Sequence, residues 1–140
     1  MFGEFDHVGW VVRDLDAATA WAEETLGLPY VRSAALPQYS IQANFLGAAP
    51  GSLEIFTLTD PEILEGRLEG SDRRLDHVAF RLQGLDALLA TLAAAGVRFC
   101  TPDRKQELPE PIVVGPNRQI WTLPESTGGL ALQLNEPLAP

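Results

Sequence analysis

Only two imidazoles occur in the chain, His7 and His77, and each follows an aspartate and precedes a valine. Phe5-Asp6-His7-Val8 returns as Leu75-Asp76-His77-Val78 after 70 residues, half of the 140-residue length. The correspondence continues through Leu15-Asp16-Ala17 and Leu85-Asp86-Ala87, through Ala20 and Ala90, and with a slip of one residue through Gly27 and Gly96. Self-similarity on this scale marks two copies of one supersecondary unit. A lone strand histidine is more often a surface or satisfied core residue than a ligand. Two imidazoles at equivalent positions of a duplicated unit reverse that preference and suit one shared transition metal.

The elements that must position these residues follow from periodicity. Residues 5–12 read as a strand, and Asp14 to Asp16 supply an N-cap and an acidic first turn for a helix that Gly27 ends. Short strands are expected at 29–34, 39–46 and 51–58, separated by Pro37 and by the turn cluster from Gly47 to Gly51. Residues 60–69 begin Asp-Pro and carry Ile63, Leu64 and Leu68 at helical spacing, a short connecting helix. The second half repeats the order, with a strand at 74–82, a helix at 84–95 and strands near 97–100, 117–123 and 129–135. Residues 101–116 hold four prolines and read as a long loop.

Strand side chains alternate between faces. The helix of each unit needs a bulky surface, which Val8, Trp10 and Val12 offer in the first strand, leaving His7 on the opposite, concave side. The same rule sets His77, Ala79 and Arg81 against Val78, Phe80 and Leu82, and Ser52, Glu54 and Phe56 against Leu53, Ile55 and Thr57. In the last strand Gln133 alternates with Leu132 and Leu134, and Gln42 and Asn44 alternate with Ile41, Ala43 and Phe45. His7, Glu54, His77 and Gln133 therefore converge by parity as two imidazoles, a carboxylate and an amide oxygen. That donor set suits a divalent ion such as Zn, Ni, Co, Mn or Fe. Gln42, Asn44, Phe56, Arg81 and Trp121 are expected to line a substrate pocket beside it. Asp6 and Asp76 read as structural, Trp10, Trp21 and Phe80 as core, and Cys100 as a buried small hydrophobe.

Composition bounds the rest. Hydrophobic residues at 46% and charged residues at 21% describe a folding chain of one-domain length, and a single cysteine permits no internal disulfide. Ten Lys plus Arg against nineteen Asp plus Glu leave a net charge of -9, which disfavours nucleic acid and anionic membranes as partners. No apolar run reaches the roughly 20 residues of a membrane span, and Glu4 and Asp6 stand where a signal peptide would be basic, so a cytoplasmic location is expected.

Phe5-Asp6-His7-Val8-Gly9, Leu26-Gly27-Leu28, Leu53-Glu54-Ile55, Leu75-Asp76-His77-Val78-Ala79-Phe80 and Pro124-Glu125-Ser126-Thr127-Gly128-Gly129 together give the chain a resemblance. Over nearly its whole length it resembles the vicinal oxygen chelate superfamily, which includes glyoxalase I, bleomycin-resistance proteins, extradiol dioxygenases and methylmalonyl-CoA epimerase. The stretch from Pro124 is similar to the epimerase-like branch in particular. The resemblance implies an α+β, glyoxalase-like fold: one domain over 1–140, with tandem βαβββ modules at about 5–58 and 74–135, a connector at 59–73, and a cupped mixed sheet around a divalent ion. It also implies that His7, Glu54, His77 and Gln133 occupy the four metal-ligand positions.

Two departures bear on the chemistry that the resemblance implies. The epimerase pattern carries Gln on the fourth strand and Glu on the last, whereas here Glu54 and Gln133 are exchanged. The turn Leu36-Pro37-Gln38 matches one that carries a catalytic glutamate, and Gln38 cannot accept a proton at neutral pH. Both opposed bases of a two-base epimerase are thus amides, which argues against ordinary methylmalonyl-CoA epimerisation. The expectation is metal-dependent isomerase or lyase chemistry beside a carbonyl, with enolate stabilisation, on a small acid, an acyl thioester or a polyketide-like substrate. Glu54, a hydroxide on the metal, Tyr39 or a loop residue would move the proton. The alternatives are Fe(II)-dependent dioxygenase chemistry and a ligand-sequestering protein of the bleomycin-resistance type. Family members commonly pair, so a homodimer is expected.

Overall fold

The computed structural model describes residues 3–47 and 51–139. The Gly47 to Gly51 turn expected from sequence therefore lies in part outside the described residues. The chain forms two compact units, one running from His7 to Asp76 and the other joining the residues before His7 to those from His77 onward. The division falls inside two strands, β1 (Glu4–Val12) and β5 (Arg73–Arg81), and each contributes residues to both units.

In the first unit β1 is followed by α1 (Leu15–Thr25), β2 (Tyr30–Leu36), β3 (Ile41–Leu46), β4 (Ser52–Leu58) and α2 (Pro61–Leu68). The strands lie in the order β2-β3-β4-β1, with β1 parallel to β4 and the other pairs antiparallel. Asp14 caps α1 by accepting from the Ala17 N–H, and Asp60 caps α2 by accepting from Glu62 N–H, with Pro61 opening that helix. Both sites satisfy donors that a helix start leaves open. Ala18 and Ala22 of α1 let it sit close on Val12, Leu46 and Ile55, with Trp10 and Leu53 at the margin.

The connecting helix does more than the sequence suggests. Its Leu68 is fully buried with Val11, Ala43, Phe56 and Leu58, and Ile63 and Leu64 pack alongside. The first unit therefore buries apolar residues on both faces of its sheet. Arg67 of α2 makes two hydrogen bonds to Asp76, Nε to Oδ1 at 2.8 Å and Nη2 to Oδ2 at 2.7 Å, which gives Asp76 the structural role expected of it. Trp21 is a correction: it is 39% exposed, tilted against Trp10, with the Arg73 guanidinium 5.4 Å from one ring and 5.6 Å from the other. A bulky residue on the outer flank of α1 is stabilised there by a cation rather than by burial.

The second unit takes up β5 from His77 and continues through α3 (Leu85–Ala94), β6 (Phe99–Cys100), β7 (Ile112–Val114), β8 (Asn117–Thr122) and β9 (Leu132–Pro137). Its strand order is β5-β9-β8-β6, with β7 beside β8 and only β5–β9 parallel. Leu82, Leu85, Leu89, Phe99, Ile120 and Leu134 form the core under α3. Cys100, Trp121 and Leu123 cluster separately with Ile112. The stretch at 101–116 is not one loop, because it contains β7 and a bridge from Cys100 to Glu107. The three residues of β7 are too few for periodicity to show.

Gly84 precedes α3 and has no side chain to cap it. Glu136 of β9 supplies the cap instead: its Oε2 accepts from Leu85 N–H at 2.9 Å while Oε1 accepts from Arg118 at 2.7 Å. The Leu85 N–H, then Arg118, hold the Glu136 carboxyl below the ordinary carboxylate range. A lowered pKa means stability present above the ordinary value of about 4.5 and lost as pH falls through the folded value. Glu136→Gln is therefore expected to cost about 1 kcal/mol at pH 7, the usual worth of a cap. As pH falls below the ordinary carboxylate value and through the lowered one, the variant and the parent should converge in thermal unfolding.

Candidate active site

In the first unit Gly9 lies beside Glu54 and Val11 beside Phe56. Residues in register share a face, so His7, Gly9 and Val11 stand with Ser52, Glu54 and Phe56. On that face His7 Nε2 is 3.5 Å from Glu54 Oε1, and the two side chains are only 4% and 13% exposed. Phe45, opposite Glu54 on β3, presents its ring to the imidazole in a T-shaped contact with centroids 5.4 Å apart. Arg32, opposite Phe45 on β2, lies over the Phe45 ring, its guanidinium carbon 4.0 Å from the centroid. Phe45 and Arg32 escape sequence reading, although the alternation of β3 contains the signal for Phe45.

Several expected pocket residues fall elsewhere. Gln42 and Asn44 pair with Thr57 and Ile55 on the α1 side, and Asn44 Nδ2 donates to Thr19 Oγ1 of that helix at 3.0 Å. They do not line the histidine face. The alternation was legible but its phase was not, because α2 gives the histidine face an apolar core of its own and so claims Ala43 and Phe45. Phe56 does share the face of His7, yet at 2% exposure beneath α2 it is core and not an open wall. Gln38 and Tyr39 belong to a single 3-10 turn, Pro37–Tyr39, where Gln38 is exposed and Tyr39 half-buried.

In the second unit His77 is 8% exposed and shares a face with Ala79 and Arg81. Ala79 is in register with Gln133 of β9, and Gln133 is in turn opposite Trp121 of β8. His77, Gln133, Arg81 and Trp121 therefore stand on one face, as parity indicates. Gln133 Nε2 donates to Asn135 Oδ1 at 3.1 Å, which engages the amide nitrogen and leaves the amide oxygen as an acceptor. Sequence reading missed this contact, though Asn135 lies two residues on along the same face.

A family model of the Glyoxalase/Bleomycin resistance protein/Dioxygenase superfamily matches residues 6–112. The chain belongs to that superfamily. Among curated proteins no match is found. Solved structures similar to this superfamily member include a methylmalonyl-CoA epimerase from Mycobacterium tuberculosis, at TM-score 0.81 and 24% identity over 99% of this chain and 90% of that one. A selenomethionine-labelled methylmalonyl-CoA epimerase matches at TM-score 0.79 and 23% identity over 99% and 98%. A Streptomyces coelicolor methylmalonyl-CoA epimerase in complex with 2-nitronate-propionyl-CoA matches at 0.80 and 20% over 99% and 100%. The likeness is one of fold: glyoxalase-like, α+β, with a mixed sheet and three helices. Among the described residues no helix is long and apolar enough to cross a membrane.

Proposed function

We propose that this superfamily member is a metal-dependent enzyme with isomerase or lyase chemistry beside a carbonyl, stabilising an enolate of a small acid, an acyl thioester or a polyketide-like substrate. The proposed ligands of its divalent ion (Zn, Ni, Co, Mn or Fe) are His7, Glu54, His77 and Gln133. The observation that carries the reading is the pairing of buried His7 with largely covered Glu54, whose donor atoms lie 3.5 Å apart. That spacing fits two ligands on one ion with bonds of about 2.1 Å. It is long for a hydrogen bond between the two. The duplicated Asp-His-Val adds His77, and the Asn135 bond leaves the Gln133 oxygen to face a cation.

When bound, such an ion supplies a Lewis acid that polarises a carbonyl oxygen. The chain's own groups supply the rest. Glu54 is the carboxylate able to take the proton beside that carbonyl, and Tyr39 is the second proton carrier in the proposal. Gln38 and Gln133 hold and orient but accept no proton, so one base and not two serves the site. The Phe45 ring excludes water from one side of the His7 imidazole. The similar epimerases include one in complex with methylmalonyl-CoA. We extend to this chain the acyl thioester class, without the two-base epimerisation. A small-molecule substrate in a cytoplasmic homodimer completes the proposal.

Protein purified without a histidine tag and analysed for metals is expected to hold one divalent ion per chain. Glu54→Gln should retain the ion while turnover falls about 10²–10⁴-fold, the usual worth of a general base. Unchanged turnover at full occupancy would dismiss Glu54 as the base. Oxygen uptake with iron would favour the dioxygenase reading, and ligand binding without turnover or metal would favour sequestration.

A further inference from the structure

Arginines in this acidic chain mostly face carboxylates. Arg13 pairs with Glu65 and Asp72, Arg67 with Asp76, Arg74 with Glu69, Arg98 with Glu107, and Arg118 with Glu136 and Asp86. Arg32 differs. Among the described residues it makes no ion pair, although the net charge is -9, and its contact is the Phe45 ring at 4.0 Å. Phe45 is in edge contact with His7, and His7 faces Glu54. An uncompensated cation thus stands two side chains from the candidate catalytic carboxylate, on the same face of the same unit.

We propose that Arg32 is a specificity-determining residue whose guanidinium binds an anionic oxygen group of the substrate. A guanidinium carbon 4.0 Å from the ring centroid is in cation–π contact, which takes up no oxygen acceptor and leaves the N–H groups to donate. Those groups form a planar fork that matches a carboxylate or a phosphate with two parallel hydrogen bonds. The contact also holds the side chain in place before binding, which lowers the cost of ordering it. An anion gripped there would extend the rest of the substrate along Phe45 toward His7 and Glu54. The inference narrows the substrate to one carrying negative charge on a group other than the reacting carbonyl. It rests on the proposed function only in placing the reacting carbonyl near His7 and Glu54. Anion binding by Arg32 requires no metal.

Calorimetric titration of the full chain, stripped with EDTA, with malonate and with pyrophosphate tests the proposal. Arg32→Met is expected to weaken binding of the preferred probe at least tenfold, and Arg32→Lys to lose less. Arg74→Met, which removes an arginine paired with Glu69, should bind as the parent does. Preference for malonate assigns the site to an acyl carboxylate, and preference for pyrophosphate to the phosphate of a carrier. Equal binding by Arg32→Met and the parent, equal losses in Arg32→Met and Arg74→Met, or no binding of either probe by the parent would overturn it. Metal uptake measured on the same samples separates the two proposals: Arg32-dependent binding in a protein that takes up no metal would remove the metal reading and leave this one standing.

Discussion

Arg67→Met is expected to lower the free energy of unfolding by about 3–5 kcal/mol, the cost of leaving a buried charge without its partner. The Arg67 and Asp76 side chains are 8% and 2% exposed and share two short hydrogen bonds. The guanidinium also lies 5.6 Å from the Phe56 centroid, so its loss disturbs the packing under α2. Asp76→Asn should fall in the same range, because it strands the arginine. Replacing both by apolar residues of similar volume should recover much of the loss, since a buried pair as a whole contributes little net stability. Denaturant unfolding reads this as a lower midpoint with an unchanged slope. A loss under 1 kcal/mol in both single variants would show that α2 is not anchored through this pair.

His77→Ala is expected to abolish stoichiometric metal binding and metal-dependent turnover, and His7→Ala to do the same. Neither imidazole has a substitute, because the chain contains no third histidine. Equal losses from the two variants are the signature of a ligand set drawn from both repeats. Asn135→Ala should act more mildly, about 10–100-fold in metal affinity, because it only frees the Gln133 amide to turn. Metal retained in His77→Ala with activity unchanged would overturn the proposed metal site.

The fold was legible where local chemistry acts alone. Asp14 and Asp60 announce their helices through caps, the repeat of Asp-His-Val announces the duplication, and period-two alternation puts His7 with Glu54 and His77 with Gln133. It failed where a distant element decides. The face of Gln42 and Asn44 depends on α2 covering the opposite side of the sheet, which no window around β3 contains. The short strand β7 is specified by its pairing with β8 and not by its own three residues. Arg32 carries no motif, and only the register that sets it opposite Phe45 gives it a role. Asn135 was placed on the right face without its function, since orienting an amide is a matter of geometry within that face.

In the proposed site a single divalent ion is held by one imidazole from each repeat. X-ray absorption on metal-loaded protein reads the number of imidazoles around the ion. Two are expected in the parent, and one in any residual metal retained by His7→Ala or His77→Ala. Fewer than two imidazoles in the fully loaded parent would contradict it.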